Sequence, residues 1–236
     1  MNDQLMELER DLRDRALTYS FLARAFSDEE VTVDFLKALR ADPPQTGTEL
    51  DGYAAKLVGM GEAALETERK ELAAEHSRLL LGMSAMPVST FESVFESELH
   101  LMMQEQRDEV LKAYRRAGFA KAESYHVPED HISLELDFVS ALANRAADNV
   151  RLVLDGAAEA PAEGEAGPLE LAERDMNALF TFLEEHLFVW GPKFCSLMLE
   201  RSRTGFYKGV SQMLDLLLRQ EKEYLDGLNA AQAQAE

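Results

Sequence analysis

The sequence predicts an all-α protein, a compact helical bundle, on three observations. Apolar residues recur at three- and four-residue steps through most of the chain, helix stop signals fall between the periodic stretches, and no convincing run of alternating strand residues occurs. No repeat at a fixed period of 20–50 residues is found, which disfavours a helical solenoid.

The elements follow in order. Leu5, Leu8, Leu12, Ala16, Tyr19, Leu22 and Phe26 share one face of an opening amphipathic helix. A short helix over Val33 to Leu39 is stopped by Asp42-Pro43-Pro44, because proline has no N–H for the ladder and disfavours helix in the residue before it. Helices then fit Leu50 to Leu65 and Glu68 to Leu81, the second ending near Gly82. Gly82 to Thr90 reads as a loop, unusually apolar for one. Ser89-Thr90-Phe91-Glu92 fits a capping box, from which a long helix is expected to run to Gly118.

A connection over Phe119 to Val127 ends at Pro128, and Asp130 stands where an N-cap or first-turn acid favours a helix through Ala146. On a helical wheel, Ser133, Asp137, Ser140 and Asn144 form a narrow polar arc. Ile132, Leu134, Leu136, Phe138, Val139, Leu142 and Ala146 fill most of the rest, so this helix is expected at the centre. Glu135 falls on the apolar side and needs a partner, since a buried carboxylate left alone is strongly disfavoured or stays protonated.

Asp155 to Pro168, rich in Ala, Gly, Pro and Glu, is expected to be a mobile acidic loop. Pro168 then starts a helix carrying Leu171, Met176, Leu179, Phe180, Leu183 and Leu187, which Trp190-Gly191-Pro192 is expected to break. Segments from Lys193 to Arg201 and from Phe206 to about Leu225 complete the chain, with a frayed tail from Asn229 to Glu236. The expectation is a single domain over 1–236, in halves 1–118 and 128–228 joined by 119–127.

Composition narrows function. With 24 Lys and Arg against 44 Asp and Glu, the net charge of -20 repels a phosphate backbone, and no basic patch offsets it. The single cysteine, Cys195, excludes an intrachain disulfide and a cysteine-built zinc or iron–sulfur site within one chain; its apolar neighbours make it a buried, inert thiol. The first ten residues lack the pattern of a secretory signal, and no window nears the roughly 18 uninterrupted apolar residues of a membrane span. A cytoplasmic location is expected. Glu123-Ser124-Tyr125-His126 is a lone Glu-x-x-His, short of the pair that a di-metal helical bundle uses. Gly59-Met60-Gly61 has neither the third glycine nor the preceding strand of a dinucleotide site, and no phosphate loop is present. Phe182, Phe188 and Trp190 are read as core aromatics.

Two segments exceed the needs of a core: the apolar loop through Pro87 into Phe91-Glu92-Ser93-Val94-Phe95, and Pro128-Glu129-Asp130-His131 leading to Glu135. Together with Arg78-Leu79-Leu80-Leu81-Gly82 before the first, Ile132 and Leu136-Asp137-Phe138 around the second, and a third stretch of Phe182 to Leu187, Trp190 and Phe206-Tyr207, they carry a resemblance. In these residues the chain resembles the TorD/DmsD family of cytoplasmic redox-enzyme maturation chaperones, related to the nitrate reductase assembly chaperones. The resemblance spans nearly the whole chain and is most specific in the middle part. That family's Glu-Pro-x-Asp-His motif keeps its Pro, Asp and His here, while Val127 replaces the leading acid, whose role is absent or passes to a neighbour such as Glu129.

The resemblance implies a TorD-like helical fold without catalysis or a cofactor of its own. It implies binding of the twin-arginine leader and immature catalytic subunit of a molybdenum or tungsten oxidoreductase, so that cofactor insertion precedes export. Cofactor-biosynthesis proteins are admitted as further partners, and either a monomer or a domain-swapped dimer as the state of assembly. On this reading Phe91, Val94 and Phe95 make apolar contact, with Glu92 and Ser93 between them. After Pro128, the residues Asp130, His131 and Glu135 supply a polar anchor. The residues alone leave other roles open: Asp130 as an N-cap, His131 as a packed histidine, Glu92 and Ser93 as capping groups. A nucleotide-binding or hydrolytic enzyme and a structural subunit of an oxidoreductase complex also remain open.

Overall fold

The computed structural model describes residues 2–123, 125–157 and 165–233. Its centre is the helix expected from the wheel, α7 (Ile132–Leu154), whose apolar residues are buried on nearly every side. The opening helix α1 (Asn2–Ala25) lies along it and buries Leu12, Ala16, Tyr19 and Leu22. On another side of α7 lies α8 (Pro168–Phe182), with Pro168 in its first turn, where a missing N–H is harmless. A second layer follows: α2 (Val33–Ala41), α3 (Glu49–Leu57), α4 (Glu62–Leu79), α9 (Phe188–Arg201) and α10 (Gly205–Ala233).

Small residues and ion pairs set the layer contacts. A Cβ on Gly209 of α10 would lie 2.2 Å from the backbone N of Leu50, so α3 and α10 touch where only glycine fits. Arg15 of α1 holds Glu221 of α10 through two bonds of 2.6 and 3.0 Å. Arg145 of α7 likewise grips Asp175 of α8. The main buried cluster draws on residues from both sides of the 119–127 connection, from Ala16 to Leu218.

Several boundaries differ from expectation, and α7 itself runs on past Ala146 to Leu154. The helix expected over Leu50 to Leu65 ends at Leu57, and α4 starts at Glu62 rather than Glu68. Gly59 turns the chain at φ +83° and Gly61 stands at the N-cap, so the Gly-Met-Gly is a hinge between helices. The long helix expected from Thr90 to Gly118 is two helices, α5 (Glu92–Glu96) and α6 (Glu105–Arg116), separated by a stretch in which His100 and Met103 take φ of 50° and 62°. The C-terminal helix continues past Leu225 to Ala233 through Ala- and Gln-rich sequence of good helix propensity, and residues 234–236 lie outside the described residues. The acidic loop of 155–168 also falls mainly outside them, since 158–164 are not described.

One further difference shapes the site. Trp190-Gly191-Pro192 does not break the helix, because α8 passes through a π-helical turn at Leu183–Leu187 straight into α9. Phe182, His186, Trp190, Phe194 and Met198 are all buried and repeat every four residues. In an unbroken α-helix that spacing would drift by roughly 160° around the axis. The extra residue in the widened turn takes back about 100° of it. An interior proline costs about 3 kcal/mol. Burying Trp190, Phe194 and Met198 on one face outweighs that, at about 1.5–3 kcal/mol per large side chain.

Candidate functional site

The two segments singled out in the sequence pair with each other. Glu92 N–H donates to the Asp130 carbonyl at 3.0 Å and Ile132 N–H to the Thr90 carbonyl at 2.8 Å, a short antiparallel bridge centred on Phe91 and His131. The Phe91 and His131 rings meet edge to face, 5.1 Å apart. The π turn brings in the third segment, with His186 Nδ1 2.9 Å from a carboxylate oxygen of Glu92.

Local capping follows a different pattern from the one the sequence suggests. Helix α5 has no capping hydroxyl from Ser89 or Thr90; its N-cap residue is Phe91. Asp130 does that work from across the bridge, accepting from Ser93 N–H at 3.0 Å and from the Ser93 hydroxyl. Asp130 therefore does not cap its own helix. His131 is the N-cap of α7, its Nδ1 accepting from Ser133 N–H. That role needs a neutral ring, and burial pushes the His131 imidazole down to about 4.

Glu135 lies where the wheel put it, fully buried, and its partner is the indole N–H of Trp190, which donates to Oε2 at 3.0 Å. Burial, then the neighbouring charge of Glu92, holds the Glu135 carboxyl well above the usual carboxylate range. Burial also raises Glu92, against the opposing pull of His186. Among the described residues, Oε1 of Glu135 and Oδ1 of Asp130 have no hydrogen-bond partner. Glu92, Asp130, Glu135 and His186 thus form a sealed acidic cluster floored by Trp190. Nothing in it suits a metal, since no group of three His, Cys, Asp or Glu among the described residues could hold one.

The other expected residues sit around this cluster. Phe95 is half-buried, with its ring 5.3 Å from that of Trp190; Val94 is half-exposed on the outer side of α5. Pro128 shapes the turn, its carbonyl accepting from His131 N–H. Glu129, the candidate heir to the missing leading acid, faces away and is held by Arg107 at 2.6 Å and Lys121 at 3.3 Å. His186 and Trp190 are the members that sequence reasoning did not place in the site. The four-residue spacing of Phe182, His186 and Trp190 was the available signal. Cys195 is buried, and burial pushes its thiol up and out of reach of ordinary reactivity.

Outside the cluster, the loops flanking α5 expose a methionine- and leucine-rich surface. Leu81, Met83 and Met86 stand on one side and Leu99, Leu101, Met102 and Met103 on the other. Such side chains are flexible and polarizable, suited to varied apolar partners. A cavity of about 600 Å³ lies apart, between α6, α7 and α8, over Phe138 and Phe182. Its rim mixes Arg116, Arg145 and Arg174 with Asp175 and Glu185, Arg145 being paired with Asp175 and Arg174 with Glu170, and none of the expected binding residues lines it. No helix among the described residues is long and apolar enough to cross a membrane.

Residues 44–196 match the family described as nitrate reductase delta subunit, a span that contains every residue of the acidic cluster. Three relatives are named chaperone protein TorD. The chain is 24% identical to the one from Aliivibrio fischeri over 187 residues, 79% of this chain and 78% of that protein. It is 23% identical to that of Photobacterium profundum over 218 residues, 88% and 90% of the two chains. Against that of Escherichia coli O7:K1 it is 23% identical over 216 residues, 86% and 92%. With nearly two thirds of its length matched to the family, and with the helical body described above, the chain belongs to the nitrate reductase delta subunit family of TorD-type chaperones.

Proposed function

We propose that this protein is a cytoplasmic redox-enzyme maturation chaperone. It binds the twin-arginine leader and the immature catalytic subunit of a molybdenum or tungsten oxidoreductase, assists cofactor insertion and prevents premature export. The observation that carries this reading is the convergence of three distant segments, α5, the Pro128–His131 turn and the π turn, on one acidic cluster beside exposed methionine and leucine loops. A leader joins a basic stretch to an apolar one, and this chain sets a buried acidic cluster beside an adaptable, exposed apolar face. Phe91, Val94 and Phe95 extend the apolar contact, while Glu92, Asp130, His131 and Glu135 form the polar side. The relatives, all named as chaperones, support a binding role without turnover.

Recovery of the tagged protein from its host, with mass spectrometry of what copurifies, tests the reading. The expected companion is the catalytic subunit of such an oxidoreductase with its leader uncleaved. Only the mature, leader-free enzyme in constant stoichiometry would make the protein a structural subunit instead.

A further inference from the structure

The acidic cluster is inaccessible as it stands: Asp130 and Glu135 are fully buried, yet each keeps one oxygen without a hydrogen-bond partner among the described residues. What closes it is one short helix and the loop behind it. Helix α5 has five residues and is held by the Glu92 N–H bond to the Asp130 carbonyl, the Asp130–Ser93 and Glu92–His186 contacts, the tilted packing of Phe95 against Trp190, and an exposed Lys193–Glu96 pair. The stretch behind it holds His100 and Met103 in the left-handed region, which L side chains adopt only against steric resistance. It also turns Leu99, Leu101 and Met102 to solvent.

We propose that α5 and the loop over 97–104 are a displaceable cover over an occluded guanidinium site. One leader arginine enters beside Trp190 and pairs with the free oxygens of Asp130 and Glu135. The inference rests on the leader-binding reading and names how that site is opened. A guanidinium presents several N–H donors in a planar fork, which suits two neighbouring buried acids. Lifting α5 removes Glu92 and frees Asp130 from Ser93, so both acids turn to the incoming cation.

Entry also moves a proton. Burial and Glu92 favour the protonated form of Glu135 while an entering cation favours its carboxylate, so entry drives proton release to the buffer. The facing charged and titratable groups are Glu92 and Glu96 of α5, Asp130 of the turn, His186 of the π turn and Tyr114 of α6. Arg107 and Lys121 are engaged by Glu129 on the outer side.

The test uses the full chain and a synthetic peptide with two adjacent arginines followed by an apolar stretch. Titration calorimetry at neutral pH, in two buffers of different ionisation enthalpy, counts the protons. Binding is expected to release protons, up to about one per peptide. It is also expected to change the emission of Trp190, the only tryptophan in the chain. Glu135→Gln, equal in shape, should abolish the release and weaken binding about tenfold. Ser93→Ala, which cuts the hold of Asp130 on α5 and leaves the carboxylate, should speed peptide association several-fold; slower association would overturn the cover. Binding without proton release or without a change at Trp190 would overturn this inference and leave the leader reading standing. No binding to the wild-type chain would overturn both.

Discussion

Asp130 bears two burdens that substitution can separate. As the borrowed cap of α5 it accepts two bonds from Ser93, and as a buried carboxylate it keeps a free oxygen toward the cluster. Asp130→Ala is expected to lower stability by about 2 kcal/mol in denaturant unfolding, the usual scale for hydrogen bonds to a charged group. It should weaken leader binding as well. Ser93→Ala removes the same cap but leaves the charge, so it should lower stability by about 1 kcal/mol without weakening the leader. Equal loss of affinity in both variants would make Asp130 a cap and nothing more. His131 gives a pH signature. Its ring is held at about 4 against 6.5 in the unfolded chain, so the unfolded state binds more protons between these values. Its contribution is full above about pH 6.5 and is lost as pH falls toward 4, a change on the order of 3 kcal/mol. The stability gap between wild type and His131→Asn should therefore shrink across that window, as urea titrations at several pH values would show.

Among the elements, the continuous α8–α9 rod is the one that local rules misjudge. Pro192 is exposed and sits inside a helix, so Pro192→Ala restores a donor while losing little packing. Its melting temperature should rise, by an amount equivalent to about 1–3 kcal/mol. A fall would mean that the ring is needed to hold the π turn, and the Glu92–His186 contact should then weaken with it. Gly209 is the opposite case. Any side chain there meets the Leu50 backbone, so Gly209→Ala should force α3 off α10 and destabilise by about 3 kcal/mol. Calorimetric unfolding checks both variants. Glycine in a helical pattern reads as a mild helix weakener, and only the crossing of two helices shows that it is required.

At the scale of the whole molecule, charge governs encounter and apolar contact governs residence. A chain of net charge -20 draws a basic leader through its long-range field. Association, followed by stopped-flow, should slow on the order of tenfold from dilute buffer to near-molar salt, with dissociation little changed. A salt-independent association rate would show that the client is recognised through the methionine and leucine loops alone. The helical class and the main core faces were legible, because apolar periodicity reports directly on which side of a helix is buried: Leu12, Ala16, Tyr19 and Leu22 are all buried as spaced. The break between α5 and α6 was not legible. Leu99, Leu101, Met102 and Met103 look like helix core in a sequence, whereas here they face solvent.

Sequence alone determined the helical periodicity, the acidic surface, the inertness of Cys195 and the burial of Glu135 with its need for a partner. Each depends on composition or on residues within a few helical turns. Tertiary structure decided which groups meet: Ser93 with Asp130 across 37 residues, Glu135 with Trp190 across 55, and Glu92 with His186 across 94. Local spacing says that a polar group must be satisfied, but only the packing of distant helices chooses the donor. The π turn is the plainest instance, since burial of residues on both sides of Pro192 turned an expected helix break into the hinge that aims His186 and Trp190 into the cluster.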